Sequence, residues 1–283
     1  MSVVPLLGSF VIHGNNRDTL EEALAGLRRV SDYLVTVDSG STDGSHRIAS
    51  RYADRVEVLP WQGFGAARAL AWTLLAEAGA QWMFYLDSDE LLPEVEGRAL
   101  SRALQSGRLS GGAYRVGCRN LDLSGPKPYV FYTHHRVRLV RAGRNPWSRE
   151  QIVHEAFPRG RYPRLGVSID HQFLIDGAAR SRKEHRYALL WAIQHAAQRI
   201  PTPPRLAWLA HLGRDLLGRG ALLRGGLQAV RSAALVAEYA RLKHRYLREV
   251  HRGAYAELVG LYRRDELLEL FRRVWEETSA EVS

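Results

Sequence analysis

Three carboxylates, Asp87, Asp89 and Glu90, follow directly on an apolar run in the segment WMFYLDSDE (residues 82–90). Carboxylates this close repel one another unless a cation lies between them, and oxygen ligands at this density suit Mg²⁺ or Mn²⁺. Because Asp87 and Asp89 are two residues apart, their side chains converge only if the backbone turns there. The segment therefore predicts a divalent-metal site. The alternative is a strand-to-helix turn in which Asp89 caps the helix that begins near Pro93.

A second group of polar residues, SGSTDGS, follows Asp38 at the end of another apolar run. At the end of a strand, the Asp38 carboxylate could accept hydrogen bonds from a nucleotide base or ribose. The alternative is a turn followed by a helix, with Thr42 or Asp43 as the capping residue.

A third segment, WQGFGAAR (residues 61–68), contains two glycines just before a helical pattern. Backbone N–H groups at such a helix start can approach an anion, and Arg68, one turn into the helix, could pair with a phosphate. An ordinary loop is the alternative. Two residues further along could act as a base or a metal ligand. They are Glu155, in Val153-His154-Glu155, and His171, which ends Val167-Ser168-Ile169-Asp170-His171.

The first ninety residues alternate between apolar, β-rich runs and segments with helical spacing. This order predicts βαβ units, with a mostly parallel sheet covered by helices on both faces. Ligands of such sheets bind beyond the carboxyl ends of the strands, where the turns that start at Asp38 and Asp87 fall. The predicted strands are Val3–Ile12, Tyr33–Val37, Arg55–Leu59 and Trp82–Leu86, and the predicted helices are Thr19–Val30, His46–Tyr52 and Gly63–Ala78.

The remaining sequence predicts a change of architecture near residue 180. The pattern predicts a helix over Pro93–Gln105 and strands over Gly112–Val116 and Val137–Val140. The arginine-rich segment Arg136–Arg186 is otherwise predicted to be irregular. Beyond Ser181 the pattern is helical, with breaks at prolines and glycines. We therefore predict an α/β domain over residues 1–180 and a helical C-terminal region over residues 181–283.

The composition narrows the possible partners and compartments. The chain of 283 residues carries a net charge of +10, so its surface attracts polyanions such as nucleic acid, anionic lipid or phosphorylated substrates. It has one cysteine, Cys118, which permits no internal disulfide and fits a reducing cytoplasmic setting. No apolar run approaches the roughly 18 residues that a membrane span needs. Any membrane contact is therefore expected to be peripheral.

A basic amphipathic pattern near the C-terminus is one candidate for such a contact. Arg241, Lys243, Arg245 and Arg248 alternate there with apolar residues, and a basic amphipathic helix can lie in an anionic membrane surface at the inner face of the cell membrane. The alternative is that the apolar stripe packs against the protein while the basic residues are solvated. The stripe consists of Leu235, Tyr239, Leu242 and Tyr246.

Taken together and in order, these motifs resemble the family 2 glycosyltransferases with the GT-A fold, most closely the lipopolysaccharide-core type of β-glycosyltransferase. The resemblance extends through about Tyr187, and RGALLRGGLQA (residues 219–229) resembles a glycine-punctuated segment of the same subgroup. It departs from the family at His13–Arg17, where a stretch such as Lys-Asn-Glu is usual, and at Ala69, where an Asn is common. The motifs that carry it are VDSGSTDGS, WQGFGAAR, WMFYLDSDE, VHE and the IDH that ends in His171.

The resemblance implies transfer of a sugar, with inversion, from a nucleotide-sugar to an acceptor hydroxyl on a glycan or lipid-linked acceptor of the cell envelope. A UDP-sugar is the expected donor, and Mg²⁺ or Mn²⁺ the expected cofactor. The implied roles are Glu155 as the catalytic base, Asp89 and His171 as metal ligands, and contacts to the nucleotide-sugar from Asp38, Arg68 and Asp87.

Three other classes remain as alternatives. Nucleic-acid binding would suit the positive charge, but no helix-turn-helix, zinc-finger or RNP-like motif is present and the charge is spread out. A nucleotidyltransferase would require a glycine-rich signature with Arg and Lys after the first strand, which Ile12–Arg17 does not show. A non-catalytic descendant that binds a nucleotide-sugar without turnover is compatible with the departures from the family pattern.

Overall fold

The fold is described from a computed structural model, which covers residues 4–123, 127–153, 157–173, 177–220, 223 and 226–280. By its internal contacts the chain divides into two compact units. The first consists of residues 1–120, 133–149 and 155–172, and the second of residues 121–132, 150–154 and 173–283.

The first unit is built on the alternation that the sequence predicts. Its elements are β1 (Leu7–His13), α1 (Arg17–Arg28), β2 (Tyr33–Asp38), α2 (Ser45–Tyr52), β3 (Arg55–Val58), α3 (Phe64–Glu77), β4 (Trp82–Asp87), β5 (Glu90–Leu91), α4 (Glu94–Gln105), β6 (Ala113–Asp122), β7 (Tyr129–Arg141) and β8 (Arg164–Phe173).

These strands form one sheet in the order β3-β2-β1-β4-β7-β6-β8-β5. The strands β3, β2, β1 and β4 are parallel, whereas β7 runs antiparallel to β4 and β5 antiparallel to β8. The α/β class and the GT-A arrangement that the resemblance implies are confirmed, with an antiparallel extension beyond β4.

The apolar run of β4 is explained by burial on both faces of the sheet. Trp82, Phe84 and Leu86 pack into one core cluster with α1 and α4, while Met83 and Tyr85 pack into a second with α3. A central strand that is covered on both sides needs no polar alternation, so the carboxylates begin only where the strand ends.

One prediction for this unit is wrong. Arg136–Arg186 was expected to be irregular, but it contains the end of β7 and the ten residues of β8. In β8 the side chains of Leu165, Val167 and Ile169 alternate into the core, and each is buried. This period of two is the strand signal, but it covers only three apolar positions within an arginine-rich segment.

The second unit is mainly helical, as expected for the C-terminal region. It contains α5 (Gly177–Ala197), α6 (Trp208–Gly213), a π-helical turn (Arg214–Gly218), α7 (Gly226–His251), α8 (Ala256–Arg263) and α9 (Leu267–Ala280). Among the described residues, no helix is both long and apolar enough to cross a membrane.

The buried face of α7 differs from the stripe expected from the sequence. Leu235, Tyr239 and Leu242 are only partly buried, and Tyr246 is fully buried with its hydroxyl 2.8 Å from His185 Nδ1. Small residues let α7 pack closely on α5, and they lie three or four positions apart as one face of a helix requires. The buried residues at this spacing include Ala229, Ala233, Ala237, Ala240, His244 and Leu247.

Candidate active site

The strand register brings the two predicted acidic turns to one edge of the sheet. His13 in β1 pairs with Asp38 in β2, and Ile12 pairs with Asp87 in β4. Asp38 and Asp87 therefore stand on either side of the end of β1, and adjacent strands lie about 4.8 Å apart. The predicted convergence at the carboxyl ends of the strands is present.

The Asp38 carboxylate organises its own turn. Its Oδ1 accepts hydrogen bonds from the N–H groups of Gly40 and Ser41, at 3.1 and 2.8 Å, and from the Ser41 hydroxyl at 2.7 Å. Its Oδ2 lies 2.9 Å from His46 Nδ1. Burial alone would raise the pKa of Asp38, but the hydrogen bonds from Ser41 and the nearby His13 and His46 outweigh burial and lower it. Asp38 is thus a buried, ionised carboxylate.

His13, which sequence reasoning treated only as a departure from a family pattern, lies against Asp38. Its Nδ1 is 3.8 Å from Asp38 Oδ1, and its side chain is buried. Neither ring nitrogen has a hydrogen-bond partner in the described part of the chain. Burial lowers the pKa of His13, so the ring is neutral near pH 7 and can accept one hydrogen bond and donate another.

Asp87 is held between two arginines. Arg68 Nη2 lies 2.5 Å from Asp87 Oδ1, and Arg138 Nη2 lies 2.9 Å from Asp87 Oδ2. Burial would raise the pKa of Asp87, but Arg138 and Arg68 hold it well below its usual range. The Arg68 guanidinium also lies over the rings of Tyr85, at 4.9 Å, and Trp147, at 5.3 Å.

Arg138 was missed by sequence reasoning, although it is a buried charge at the centre of this network. Its Nη2 also lies 2.5 Å from Glu90 Oε1, and its guanidinium is 4.7 Å from the centre of the Tyr85 ring. Glu90 Oε2 accepts the N–H of Asp87 at 2.9 Å. Burial, together with the charge of Asp87, raises the pKa of Glu90. An arginine inside the apolar run Val137–Val140 was the available signal, since a buried guanidinium requires carboxylate partners.

Asp89 lies beside His171. The pairing of β5 with β8 sets Glu90 opposite His171, and the N–H of Gln172 donates to the Asp89 carbonyl at 3.1 Å. Asp89 Oδ1 lies 3.7 Å from His171 Nε2, and both side chains are a little over a quarter exposed. Burial would lower the pKa of His171, but Asp89 raises it.

A polar chain behind His171 fixes the orientation of its ring. His171 Nδ1 lies 2.9 Å from Asn120 Oδ1, and Asn120 Nδ2 lies 3.0 Å from His134 Nδ1. Because the amide oxygen of Asn120 accepts a hydrogen bond, Nδ1 of His171 is the nitrogen that carries the proton. Nε2 then faces Asp89 and is the nitrogen available to a metal, since metal-binding histidines usually donate their other ring N–H to a neighbouring acceptor.

The side chains at this edge can supply some of the ligands of a divalent cation, but not a complete coordination shell. In the described ranges, no group of three or more His, Cys, Asp and Glu side chains converges in metal-binding geometry. Asp89 and His171 supply one carboxylate and one imidazole, which is enough for an ion that completes its shell with water and substrate phosphates. Glu155, the predicted base, and its neighbour His154 lie outside the described residues.

Comparisons with known proteins bear on the first unit most directly. Residues 10–143 match the model of "Glycosyl transferase family 2". The chain is 29% identical to the lipopolysaccharide core biosynthesis glycosyltransferase LpsC of Rhizobium meliloti, over 66% of this chain and 71% of that protein. It is 30% identical to an uncharacterized glycosyltransferase of Rickettsia bellii, of which it covers only 28%.

Solved structures show more distant similarity. S. aureus TarS residues 1–349 in complex with UDP aligns over 97% of this chain and 91% of that one, with 13% identity and a TM-score of 0.44. Glucosyl-3-phosphoglycerate synthase of Mycobacterium tuberculosis, solved with Mn²⁺ and UDP-glucose, aligns over 41% of this chain with 20% identity and a TM-score of 0.32. This chain covers 44% of the length of that synthase chain.

Proposed function

We propose that this chain, whose residues 10–143 match the model of glycosyl transferase family 2, transfers a sugar from a nucleotide diphosphate sugar to an acceptor hydroxyl, with inversion at the anomeric carbon. The observation that carries the proposal is the pairing of Asp89 with His171 at the carboxyl edge of the sheet. This edge is where α/β sheets bind ligands.

Asp89 and His171 are the residues that would hold the metal. A bound divalent cation would act as a Lewis acid and stabilise the negative charge that develops on the leaving diphosphate. Imidazole is a softer ligand than carboxylate or water, so we expect Mn²⁺ to be preferred over Mg²⁺. Asn120 serves as a positioning residue that directs Nε2 of His171 towards the site.

The nucleotide would bind at the part of this sheet edge that contains Asp38 and His13. Asp38 is held ionised by its turn, and His13 beside it has polar atoms without partners. These groups suit the recognition of a base or ribose, with a UDP-sugar as the expected donor. Arg68 and Arg138 hold Asp87 between them, so Arg68 contributes positive charge to the diphosphate subsite while it also positions Asp87.

Glu155 is the proposed base that takes the proton of the acceptor hydroxyl. The assignment rests on the resemblance of Val153-His154-Glu155 to the family motif. A carboxylate is a suitable general base for an alcohol when it is positioned opposite the leaving group. The relation to LpsC makes a lipopolysaccharide-core or other cell-envelope glycan the proposed acceptor class.

The reaction can be tested by donor hydrolysis across a panel of nucleotide-sugars with Mn²⁺, with Mg²⁺ and with EDTA. We expect one donor to be hydrolysed slowly in a metal-dependent manner. Asp89→Asn should lower that rate by about 10²–10³-fold, the loss typical when one group that stabilises charge in a transition state is removed. Metal-independent hydrolysis that survives in Asp89→Asn would contradict the proposal.

We also propose that the second unit contacts an anionic membrane surface. Leu206, Leu209 and Leu217 are between 42% and 74% exposed. The only acidic residue in the sequence between Gln198 and Ala237 is Asp215, which is buried and paired with Arg214 and Arg219. Exposed leucines among arginines match the interface of anionic lipid, and such a location would bring the protein to a lipid-linked acceptor.

Membrane binding can be measured by co-sedimentation with vesicles of phosphatidylcholine, with and without phosphatidylglycerol. Wild type should bind only the anionic vesicles. The double variant Leu206→Ser/Leu209→Ser should bind at least about tenfold more weakly, because each leucine contributes on the order of 1.5 kcal/mol when buried. Val95→Ser is the matched control, since Val95 is 59% exposed on α4 of the other unit. Equal loss in both variants would contradict this surface assignment.

A further inference from the structure

A cluster of basic side chains lies in the helical unit, at a place where three helices meet. Trp191 and His195 come from α5, His211 from α6, and Lys243 and His244 from α7. The ring centres of Trp191 and His195 are 3.9 Å apart, and His244 is 6.4 Å from both Trp191 and His211. We call these five residues the α5–α7 basic cluster.

Lys243 is the central charge of the cluster, and its surroundings are aromatic. Its Nζ lies 4.6 Å from the Tyr239 ring centre and 5.3 Å from that of Trp191. Among the described residues no carboxylate forms an ion pair with it, and burial alone lowers its pKa to about 8. The ammonium is therefore desolvated without a compensating negative charge.

Within the described part of the chain, no carboxylate forms an ion pair with the three histidines either. Burial is the first cause that lowers the pKa values of His195, His211 and His244, and the charge of Lys243 lowers each of them further. Asp215 acts on His211 in the opposite direction, but Arg214 and Lys243 outweigh it. His244 is 8% exposed, and its Nδ1 has no hydrogen-bond partner within the described ranges.

A groove lies between the two helices that supply His211 and the Lys243–His244 pair. Its walls are mainly apolar, and Glu238 is its acidic residue. Glu238 is exposed and is not among the causes that shift the pKa of Lys243. The groove could accommodate the organic part of a molecule whose charged group enters the cluster. It is lined by Trp208, Leu212, Ala234, Ala237, Glu238 and Arg241.

We propose that the α5–α7 basic cluster is a binding site for a phosphate group. An ammonium with three donors, together with imidazoles from two further helices, can surround a tetrahedral oxyanion with hydrogen bonds. A buried cluster of basic groups without negative partners lowers the stability of the folded protein, because its charge is desolvated and uncompensated. A bound anion would compensate that charge. The phosphate can belong to a phosphorylated sugar, a lipid headgroup or the free ion. These sources share the chemistry that the cluster recognises.

The test compares Lys243→Met with Arg245→Met on the full chain in phosphate-free buffer. Methionine matches the length and apolar character of the lysine stem, and Arg245 is an exposed residue of the same helix that pairs with Glu249. Calorimetric titration uses inorganic phosphate, glucose 6-phosphate, and vesicles of phosphatidylcholine with or without phosphatidic acid. Thermal unfolding is followed with and without each probe.

We expect at least one probe to bind the wild type and Arg245→Met and to raise their melting temperatures, as a ligand of the native state does. Binding to Lys243→Met should be about tenfold weaker or lost, as expected when a charged hydrogen-bond donor is removed. Without probe, Lys243→Met should melt at or above the wild-type temperature, because the uncompensated ammonium is gone. His211→Asn, on another helix, should weaken binding of the same probe.

The probe that binds best identifies the source of the phosphate. Binding of glucose 6-phosphate above inorganic phosphate indicates a sugar phosphate, and binding only to phosphatidic acid vesicles indicates a lipid headgroup. Equal affinity in wild type and Lys243→Met, or no binding of any probe to wild type, would overturn the proposal. Asp89→Asn should leave this binding unchanged, so failure of the proposed transferase activity would be recognised separately.

Discussion

Arg138→Met is expected to lower the free energy of unfolding by about 3–5 kcal/mol, the usual cost of removing one partner from a buried ion pair. The variant leaves the buried Glu90, beside Cys118, without its guanidinium partner, and it removes one of the two arginines that hold the partly exposed Asp87. Urea-induced unfolding followed by circular dichroism measures the change, together with the melting temperature.

Arg136→Met is the matched control, because Arg136 lies two residues away on β7 and is exposed. Its effect should stay within about 0.5 kcal/mol, as is usual for surface positions. Adding Glu90→Gln to Arg138→Met should recover part of the loss, because Glu90 is the carboxylate left without an arginine whereas Asp87 keeps Arg68. An Arg138→Met protein as stable as the control would show that the buried network does not hold this edge together.

Glu155→Gln is expected to lower the turnover number by about 10²–10⁴-fold, the range for a general base, while donor affinity stays the same. Glutamine keeps the shape of the side chain but cannot accept the proton of the acceptor hydroxyl. Steady-state kinetics for the acceptor and calorimetry for the donor separate the two effects. Glu150→Gln, in the same segment, is the control and should retain normal turnover. A small effect on turnover would assign the base to another residue.

The strand-rich core of the first unit could be predicted because its signals are local. Apolar runs that end in Asp38 and Asp87, separated by helical patterns, determine a parallel sheet and the edge at which both acids stand. Because β1, β2 and β4 are buried on both faces, the position of the acids comes from where each apolar run ends and not from an alternating pattern. The position of His171 opposite Glu90 depends instead on β8, whose short alternation of Leu165, Val167 and Ile169 was not predicted to be a strand.

The partners of the carboxylates could not be predicted from local pattern. Asp87 and Arg138 are 51 residues apart, and only the antiparallel pairing of β7 with β4 brings them together. The sequence pattern predicted a divalent-metal site at the three acids of WMFYLDSDE, and only the resemblance assigned the metal to Asp89 and a nucleotide-sugar contact to Asp87. In the structure Asp87 and Glu90 neutralise arginines, and Asp89 is the acid that faces His171. The tertiary structure, and not the local sequence, therefore determines which acid pairs with an arginine and which lies beside His171.

The different roles of these acids also distinguish a catalytic transferase from the alternative classes. A descendant that binds nucleotide-sugar without turnover would keep Asp38 and the arginine-held Asp87, and it would tolerate loss of Asp89. A nucleic-acid-binding protein would show steep salt dependence with generic DNA and no requirement for either carboxylate. The metal dependence of nucleotide binding separates both from a transferase that uses Asp89 and His171.

The most direct test is calorimetric binding of UDP, with Mn²⁺ and with EDTA, to the wild type, to Asp89→Asn and to Asp170→Asn. Asp170 is a neighbouring acid that pairs with Arg119, so it controls for loss of charge near the site. The account predicts Mn²⁺-dependent binding that persists in Asp170→Asn and weakens at least about tenfold in Asp89→Asn. Binding of equal strength in EDTA, or binding unchanged in Asp89→Asn, would contradict a metal site at Asp89 and His171.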